Sequence, residues 1–437
     1  MISAKSNVIR TIFKVRLLKK RVQKFKVYPT FYFNSSFYPI RIYVQFSHYT
    51  SIVAFINSKI YNLQGEDFMS KRIKELDSIR GLAAITVVIG HFCLMLPSLP
   101  NSIKLSPLRF LWAGGEAVII FYVLSGFVLS MALYHSKTNY WGYLIKRFVR
   151  IYIPYYFWIF ITFALFILFS SYEVTGLRDW FYDKWQGPIT KLDIINHFVL
   201  LNNFFTDNYN PVIWSLAQEM RISIVFPLLF LLFYKQSWKK TMLFAMSFSL
   251  ISIFLNMLHI GKAEGFYNGY ADTLHFTSMF MVGMLLFKYQ EKLTHLYRNM
   301  KNLKRNLLIT LGIFLYVYST GILLISRSDT AFLLKDWGVV IGVSILIIMA
   351  MNNLKVKEIL NKSVFVYLGE ISYSINLCHF PIMMVLFKLL YTKIPILFLL
   401  ILCITMTILC SIVSYHLIEK KCINWAKQRT KNFKKKV

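Results

Sequence analysis

Ionisable side chains in and beside long apolar stretches are the residues of this sequence that could do chemistry. Asp77, Arg80 and His91 accompany the first such stretch. At about 100° per residue, Arg80 and His91 lie about 20° apart around a helix and therefore share one face. A rise of about 1.5 Å per residue separates them by about 16 Å along the axis. Because a charged group in hydrocarbon costs several kcal/mol, this polar stripe is a candidate functional site.

A carboxylate in the fourth apolar stretch is the next candidate. If that stretch enters the membrane near Val212, Glu219 lies about 10 Å below the surface. His91 reaches a similar depth in a hydrocarbon core about 30 Å thick. A histidine and a carboxylate at one depth have the composition of an oriented general base, so we expect the two to pair. The alternative is a polar cluster of Glu219 with Gln218 or Arg221 that only fixes helix packing.

Two arginines precede the third apolar stretch. Arg147 and Arg150 are three residues apart and are neighbours on one helical surface. Guanidinium groups and exposed backbone N–H groups at a helix N-terminus both favour an anion, so the pair is a candidate phosphate site. The alternative is that they only anchor the helix at the membrane surface.

Two further ionisable residues give weaker predictions. His379 is followed by Phe380 and Pro381, and we expect it to cap a turn kinked by the proline, which frees a backbone carbonyl upstream. Glu419 is expected to neutralise lysine or arginine at the inner membrane face. The five cysteines include no pair at metal-ligand spacing, and we expect no metal site.

Membrane-spanning helices must position these side chains. Of the 437 residues, 57% are hydrophobic and only 16% are charged, and the mean hydropathy is +0.52. That composition excludes a water-soluble globular protein and predicts an all-α, polytopic helical bundle. About ten spans are predicted, at Ser78–Leu96, Gly115–Tyr134, Ile151–Ser170, Val212–Tyr234, Thr241–Ile260, Asp272–Phe287, Leu307–Ile325, Asp336–Met351, Ser372–Tyr391 and Pro395–Ile418.

The positions of the basic residues predict the orientation of the bundle. The formal net charge is +31, and from Lys71 onward one side of the predicted membrane carries 28 lysines and arginines against 9 on the other. The rich side includes both ends of the chain, so both termini are expected in the cytoplasm, with the protein spanning the inner membrane many times. This arrangement favours anionic lipid over nucleic acid as the partner of the charge.

The first 68 residues form a separate basic extension in this interpretation. They contain 11 lysines and arginines and 2 acidic residues, without the order of a signal peptide. They are either a cytoplasmic arm on anionic lipid or a translated leader before Met69, and we favour the leader. The predicted organisation is therefore the extension 1–68, a membrane domain 69–425 and a basic cytoplasmic tail 426–437.

Several motifs together resemble integral-membrane acyltransferase family 3, bacterial enzymes that O-acylate carbohydrates. The resemblance extends from about Glu75 to Trp425. Six stretches carry it: Leu76-Asp-Ser-Ile-Arg80-Gly81-Leu-Ala-Ala with Gly90-His91; Phe121-Tyr-Val-Leu-Ser125-Gly126-Phe; Arg147-Phe-Val-Arg150-Ile-Tyr-Ile-Pro154; Trp214-Ser215-Leu-Ala-Gln-Glu219; Leu368-Gly-Glu-Ile-Ser372-Tyr373-Ser-Ile-Asn-Leu-Cys-His379-Phe-Pro381; and Tyr415-His-Leu-Ile-Glu419.

The resemblance implies roles for individual residues. Arg80 and His91 match the arginine and histidine of the family's first span, Arg147 and Arg150 match its Arg-x-x-Arg motif, and Glu219 ends its Trp-Ser-Leu-x-x-Glu motif. It assigns His91 and Glu219 to catalysis and the three arginines to the acyl donor. Secondary roles fall to Asp77, Trp214, Ser215, Ser372, Tyr373, His379 and Glu419. The sequence departs from the family at Ala117-Val118 and at Glu419-Lys420-Lys421.

The expected function follows from this resemblance. It is transfer of an acyl group, chiefly acetyl, from cytoplasmic acyl-CoA to a hydroxyl of a surface glycan or its lipid-linked precursor, with no permanently bound cofactor. His91 would either deprotonate the hydroxyl or briefly carry the acyl group. The alternatives are acylation of a lipid or small metabolite, which shares these motifs, and a transporter or flippase in which no bond is made.

Overall fold

The protein is a bundle of helices throughout the part of the chain that the structure describes. The computed structural model describes residues 72–97, 100–104, 106–135, 139–321 and 329–431, and all regular structure in these ranges is helical. This confirms the predicted all-α class. The predicted extension 1–68, the end of the tail at 432–437 and the last four residues of the seventh predicted span, 322–325, lie outside the described residues.

Ten of the described helices coincide with the ten predicted spans. They are α1 Lys74–Met95, α2 Gly114–His135, α3 Tyr140–Phe169, α4 Ile213–Phe233, α5 Trp238–Met257, α6 Tyr270–Lys288, α7 Asn302–Tyr318, α8 Asp329–Asn352, α9 Ser372–Leu390 and α10 Ile396–Ser414. Eight of them are long and apolar enough to cross a membrane. The other two are α6, which carries Asp272 and Lys288, and α7, which has 17 residues.

Shorter elements connect or extend these helices within the described ranges. They are Asn101–Lys104, Asp179–Tyr182, Lys191–Val199, Gln290–Arg298, Leu354–Leu360, Ser363–Glu370 and Lys420–Lys431, with 3-10 turns at Pro107–Leu111 and Ser319–Gly321 and a π-helical turn at Tyr415–Glu419. The π-helical turn joins α10 to the last helix. Such turns are frequent at functional sites, and this one ends on Glu419.

Four apolar clusters hold the described part of the bundle together, and two of them are the largest. The first is built mainly from α2, α4, α6 and α8 around Phe127, Phe226 and Phe280. The second joins α1 and α9 to α10 and the loop after α3, around Phe92 and Phe387. Outward-facing side chains are also apolar, as expected of helices in contact with lipid.

Glycine permits a close helix crossing beside the candidate site. A β-carbon on Gly81 would lie 2.6 Å from the backbone nitrogen of Gly369, so only glycine lets α1 approach the helix Ser363–Glu370 this closely. The crossing brings Asp77 near Glu370, and Arg72 bonds to both, at 2.6 Å and 2.7 Å. The region of α1 that carries Arg80 is therefore fixed by backbone contact and by an ion-pair bridge.

The loop 171–211 packs on the end of the bundle opposite to the start of α1. The N–H of Arg178 donates to the carbonyl of Met95 at the end of α1. Arg221 of α4 holds the end of this loop by donating to the carbonyls of Leu201 and Asn202, at 2.9 Å and 2.5 Å. We call this end of the bundle the loop end and the end at which α1 begins the basic end.

Candidate active site

Three arginines from two helices line one cavity toward the basic end. Arg80 of α1 and Arg147 and Arg150 of α3 converge on a space of about 80 Å³. The acidic residues Glu219, Glu370 and Glu419 share its wall. Its polar lining is completed by Tyr122, Ser125, Ser215, Ser372, Tyr373 and Asn376. The tertiary structure thus brings residues from all six of the quoted sequence stretches together at one place.

The three guanidinium groups differ in how the protein engages them. Arg147 Nη2 lies 3.3 Å from Glu219 Oε1, and Arg80 Nη1 lies 3.6 Å from Asp77 Oδ1. Arg150 makes no hydrogen bond or ion pair within the described ranges. The protein therefore leaves the charge of Arg150 available to a ligand in the cavity.

The setting of Arg147 and Arg150 corrects the sequence-based expectation of a helix N-terminus. Helix α3 begins at Tyr140, about three turns before the predicted Ile151, and the side chain of Asn139 caps it by accepting from Gly142 N at 2.8 Å. The backbone N–H groups near the two arginines are thus used inside the helix and cannot bind an anion. Side-chain guanidinium groups, without a helix N-terminus, form the cationic part of this cavity.

The expected pairing of His91 with Glu219 is not formed. Glu219 Oε1 accepts from Ser125 Oγ at 3.2 Å and faces Arg147, so it lies in the cavity wall at the level of the arginines. The prediction was wrong because the chain already lies inside the bundle before α4 begins. Asn210, just before α4, is buried and donates to the carbonyl of Leu377 in the second turn of α9.

The alternative polar cluster of Glu219 is not formed either. Gln218 donates to the carbonyl of Tyr267 at 2.8 Å, and Arg221 donates to loop carbonyls at the loop end. Both side chains therefore hold connecting segments in place. Glu219 differs from its two neighbours because it faces the cavity.

His91 lies outside the cavity lining and pairs with a second histidine. His91 Nδ1 lies 2.9 Å from His379 Nε2, and the ring of Trp180 stacks on His91 with centroids 5.7 Å apart. Phe380 contacts the same ring edge-on. A histidine pair with aromatic walls thus forms a second centre nearer to the loop end, on the face of α1 that also carries Arg80.

Helix α9 connects the two centres. Ser372, Tyr373 and Asn376 line the cavity, and His379 follows Asn376 by one turn. The Tyr373 hydroxyl donates to the carbonyl of Ile151 at 2.7 Å, which fixes α9 against α3. One helix therefore carries polar side chains from the arginine cavity to the histidine pair.

The carbonyl freed by Pro381 is bound by a residue that the sequence did not indicate. Asn210 Nδ2 donates to the carbonyl of Leu377 at 3.1 Å, which is the carbonyl that an N–H at position 381 would have bonded. His379 Nδ1 instead contacts the carbonyl of Ile375 at 2.9 Å. The predicted capping role of His379 is thus performed by Asn210, and His379 is left to face His91.

The remaining predicted residues take varied positions. Ser215 lines the cavity, while Trp214 next to it packs among Tyr122, Phe276 and Tyr267. Glu419 was expected to neutralise lysine or arginine at the inner membrane face. It is buried, accepts from Ser374 Oγ at 3.0 Å and shares the wall of the cavity with Arg80 and Arg150.

Sequence reasoning missed several residues of the two centres. Asn376 had a usable signal, because it lies four residues after Ser372 and three before His379 on one helical face. Ser125 and Glu370 occur within the quoted stretches. Trp180 lies in a connecting loop, and no spacing rule places a loop residue against His91.

Comparison with known proteins identifies the family. A family model described as an acyltransferase domain matches residues 73–415. The chain belongs to acyltransferase family 3. This membrane acyltransferase shows no match among curated proteins. The matched region begins with α1 and contains both histidines and all three cavity arginines, and Glu419 of the cavity wall lies four residues beyond its end.

Proposed function

We propose that this acyltransferase moves an acetyl group from cytoplasmic acetyl-CoA to a hydroxyl of a cell-surface glycan or its lipid-linked precursor, across the inner membrane. The observation that carries the proposal is the convergence of Arg80, Arg147 and Arg150 on one cavity, with Arg80 on the same face of α1 as His91. Arginine guanidinium groups bind phosphates through charge-assisted hydrogen bonds, and an imidazole can accept the proton of a hydroxyl.

The cavity residues fit the chemical groups of a CoA molecule. Arg150 has no partner in the described part of the chain, which suits a phosphate. Asn376 Oδ1 and Arg147 Nε are buried and also without a hydrogen-bond partner. A pantetheine arm carries amide groups, whose N–H and C=O can bond to an orphaned acceptor and an orphaned donor of this kind.

The distance between the two centres suits an extended arm. Arg80 and His91 are eleven residues apart on α1, or about 16 Å along its axis. Asn376 occupies an intermediate level, one turn of α9 before His379. In this proposal the arginines hold the phosphates toward the cytoplasm and the thioester lies near His91.

The residues around the thioester carry out the transfer. Acyl-CoA supplies the activated thioester. His91 accepts the proton of the acceptor hydroxyl while the oxygen attacks the thioester carbonyl, so that a C–O bond forms and the C–S bond breaks. The same proton then passes from His91 to the thiolate of CoA. Glu219, which was first expected to orient His91, is proposed instead to hold Arg147 in place through their 3.3 Å contact.

Labelled acetyl-CoA in inside-out membrane vesicles tests the function. Vesicles with wild-type protein should place alkali-labile radioactive acetyl groups in the polysaccharide fraction, and vesicles with His91→Gln should not. The lipid fraction and the water-soluble small molecules are counted separately. Label in either of those fractions would replace the glycan acceptor by another class while retaining the acyltransferase chemistry.

Labelling of the purified protein separates the two roles open to His91. Direct transfer predicts that acetyl-CoA without acceptor leaves no label on wild-type protein. Label that is present in wild type and absent in His91→Gln would instead show an acyl-histidine. If the protein moves polysaccharide across the membrane with no acetyl group gained in any fraction, the acyltransferase proposal fails and the transporter alternative holds.

A further inference from the structure

The contact between His91 and His379 has the geometry of a directed hydrogen bond. The two nitrogens are 2.9 Å apart, the ring planes differ by 18°, and the ring centroids are 5.1 Å apart. The centroid separation nearly equals its upper limit, the N···N distance plus the two centroid-to-nitrogen distances, so the rings meet edge to edge and nearly in one plane. One of the two nitrogens must therefore carry the proton and the other the lone pair.

A backbone carbonyl decides which nitrogen of His379 is protonated. His379 Nδ1 lies 2.9 Å from the carbonyl oxygen of Ile375, and a carbonyl can only accept. The proton of His379 is therefore on Nδ1. His379 is fully buried and has no acidic ion-pair partner in the described ranges, so it is neutral, because an unpaired buried charge is costly. Its Nε2 then presents a lone pair to His91.

From this chain of bonds we infer that His379 is a positioning residue that holds His91 as the Nδ1–H tautomer. His91 Nδ1 donates to His379 Nε2, and the lone pair of His91 therefore lies on Nε2. The ring of Trp180 lies next to His91 with planes 14° and centroids 5.7 Å apart, and this neighbour opposes rotation of the imidazole. The inference deepens the proposed function and rests on it for the role of the lone pair.

The lone pair on His91 Nε2 is the base that the transfer needs. It takes the proton of the acceptor hydroxyl as the C–O bond forms and the C–S bond breaks, and it returns that proton to the CoA thiolate. His379 keeps its own proton on Nδ1 throughout. It acts on the reaction only by fixing the tautomer of His91.

Nitrogen NMR of the wild-type protein tests the tautomer of His91 independently of any activity assay. The full chain, with its nine histidines labelled with ¹⁵N, is studied in lipid nanodiscs at neutral pH. The His91 signal is assigned by its loss in His91→Gln. We expect Nε2 of His91 to give the shift of a nitrogen without hydrogen and Nδ1 the shift of an N–H. The reverse pattern in wild type overturns the inference.

Three substitutions at position 379 test the positioning role. His379→Gln can place a side-chain oxygen where Nε2 accepts, whereas His379→Asn is too short to reach His91 and His379→Phe keeps the volume without an acceptor. We expect kcat within about tenfold of wild type for His379→Gln and about 10²-fold lower for the other two, with KM for acetyl-CoA changed less than about twofold. If His379 had only a structural role, the kcat values of the variants would not depend on whether the side chain places an acceptor at the position of Nε2.

Two results separate this inference from the proposed function. If wild type transfers no acetyl group, the proposed function fails, and the NMR pattern alone decides the tautomer. If wild type transfers acetyl and His379→Phe has an unchanged kcat, the positioning role is overturned while the function stands. Thermal unfolding of each variant verifies that the kinetics are those of folded protein.

Discussion

Replacing Arg150 by glutamine should weaken CoA binding through the loss of one positive charge in the cavity. Arg150 lines the cavity and makes no hydrogen bond or ion pair with the described residues, so Arg150→Gln removes a charge without breaking such a bond. Arg147→Gln differs, because it also leaves Glu219 without its 3.3 Å partner.

The expected loss of affinity follows from one charge-assisted hydrogen bond. Such a bond is worth about 1.5–3 kcal/mol, and each 1.4 kcal/mol is a tenfold change, so the Kd for CoA should rise about 10- to 150-fold. Arg150→Lys keeps the charge but not the planar fork and should fall between wild type and Arg150→Gln. The difference between wild type and Arg150→Gln should narrow as salt is raised, because ions screen the phosphate contact.

Isothermal titration of the full chain in nanodiscs measures this effect, with CoA and pantetheine as ligands. Pantetheine has the arm of CoA without its phosphates, so its affinity should be the same for wild type and Arg150→Gln. Arg298→Gln is the matched variant, since it removes one positive charge outside the cavity, on the helix Gln290–Arg298. The assignment of Arg150 is refuted if Arg150→Gln binds CoA as tightly as Arg298→Gln, or if it weakens pantetheine and CoA equally.

Two further predictions concern the stability of segments around the site. Asn210→Ala should lower the unfolding free energy by about 1–3 kcal/mol, because it leaves the Leu377 carbonyl without its donor. In a Pro381→Ala background the N–H at position 381 bonds to that carbonyl, so calorimetry should find most of this cost absent. Equal costs in both backgrounds would contradict this explanation. In the loop helix Lys191–Val199, burial lowers the pKa of His197 below its ordinary value of 6.5. The stability that neutral His197 contributes is therefore present above pH 6.5 and is lost as the pH falls through its lower folded value. As the pH is lowered from 7.5 to 5.5, the rate of hydrogen exchange in this helix, corrected for intrinsic rates, should rise in wild type and not in His197→Gln. The same rise in both proteins would show that His197 is not the cause.

Hydrophobic periodicity predicted the helices of this protein well, because each span must satisfy its own backbone hydrogen bonds in lipid. The same rule predicts spans better than ends. Helix α3 begins at Tyr140, and the polar lead-in around Arg147 is helical although its composition resembles a loop. The two arginines therefore lie in a helix interior and not at the predicted helix N-terminus, so only their side chains can bind an anion.

Depth estimates failed where a loop enters the bundle. The prediction that Glu219 and His91 share a level assumed that α4 starts at the membrane surface. The contact of Asn210 with the Leu377 carbonyl shows that the chain already lies inside the bundle before α4 begins. Counting residues from an apolar boundary cannot detect this, because the boundary in the sequence is a change of composition and not a position in space.

The sequence by itself determined the all-α class, the approximate spans, the family and the identity of Arg80, His91, Arg147, Arg150 and Glu219 as residues of interest. These follow from local chemistry, since apolar length, periodicity and motif spacing are properties of neighbouring residues. Only the tertiary structure decided which of these side chains meet. It joined Glu219 to Arg147, left Arg150 unpaired and set His379 beside His91. Those contacts depend on how helices far apart in sequence cross one another, and no local pattern specifies that.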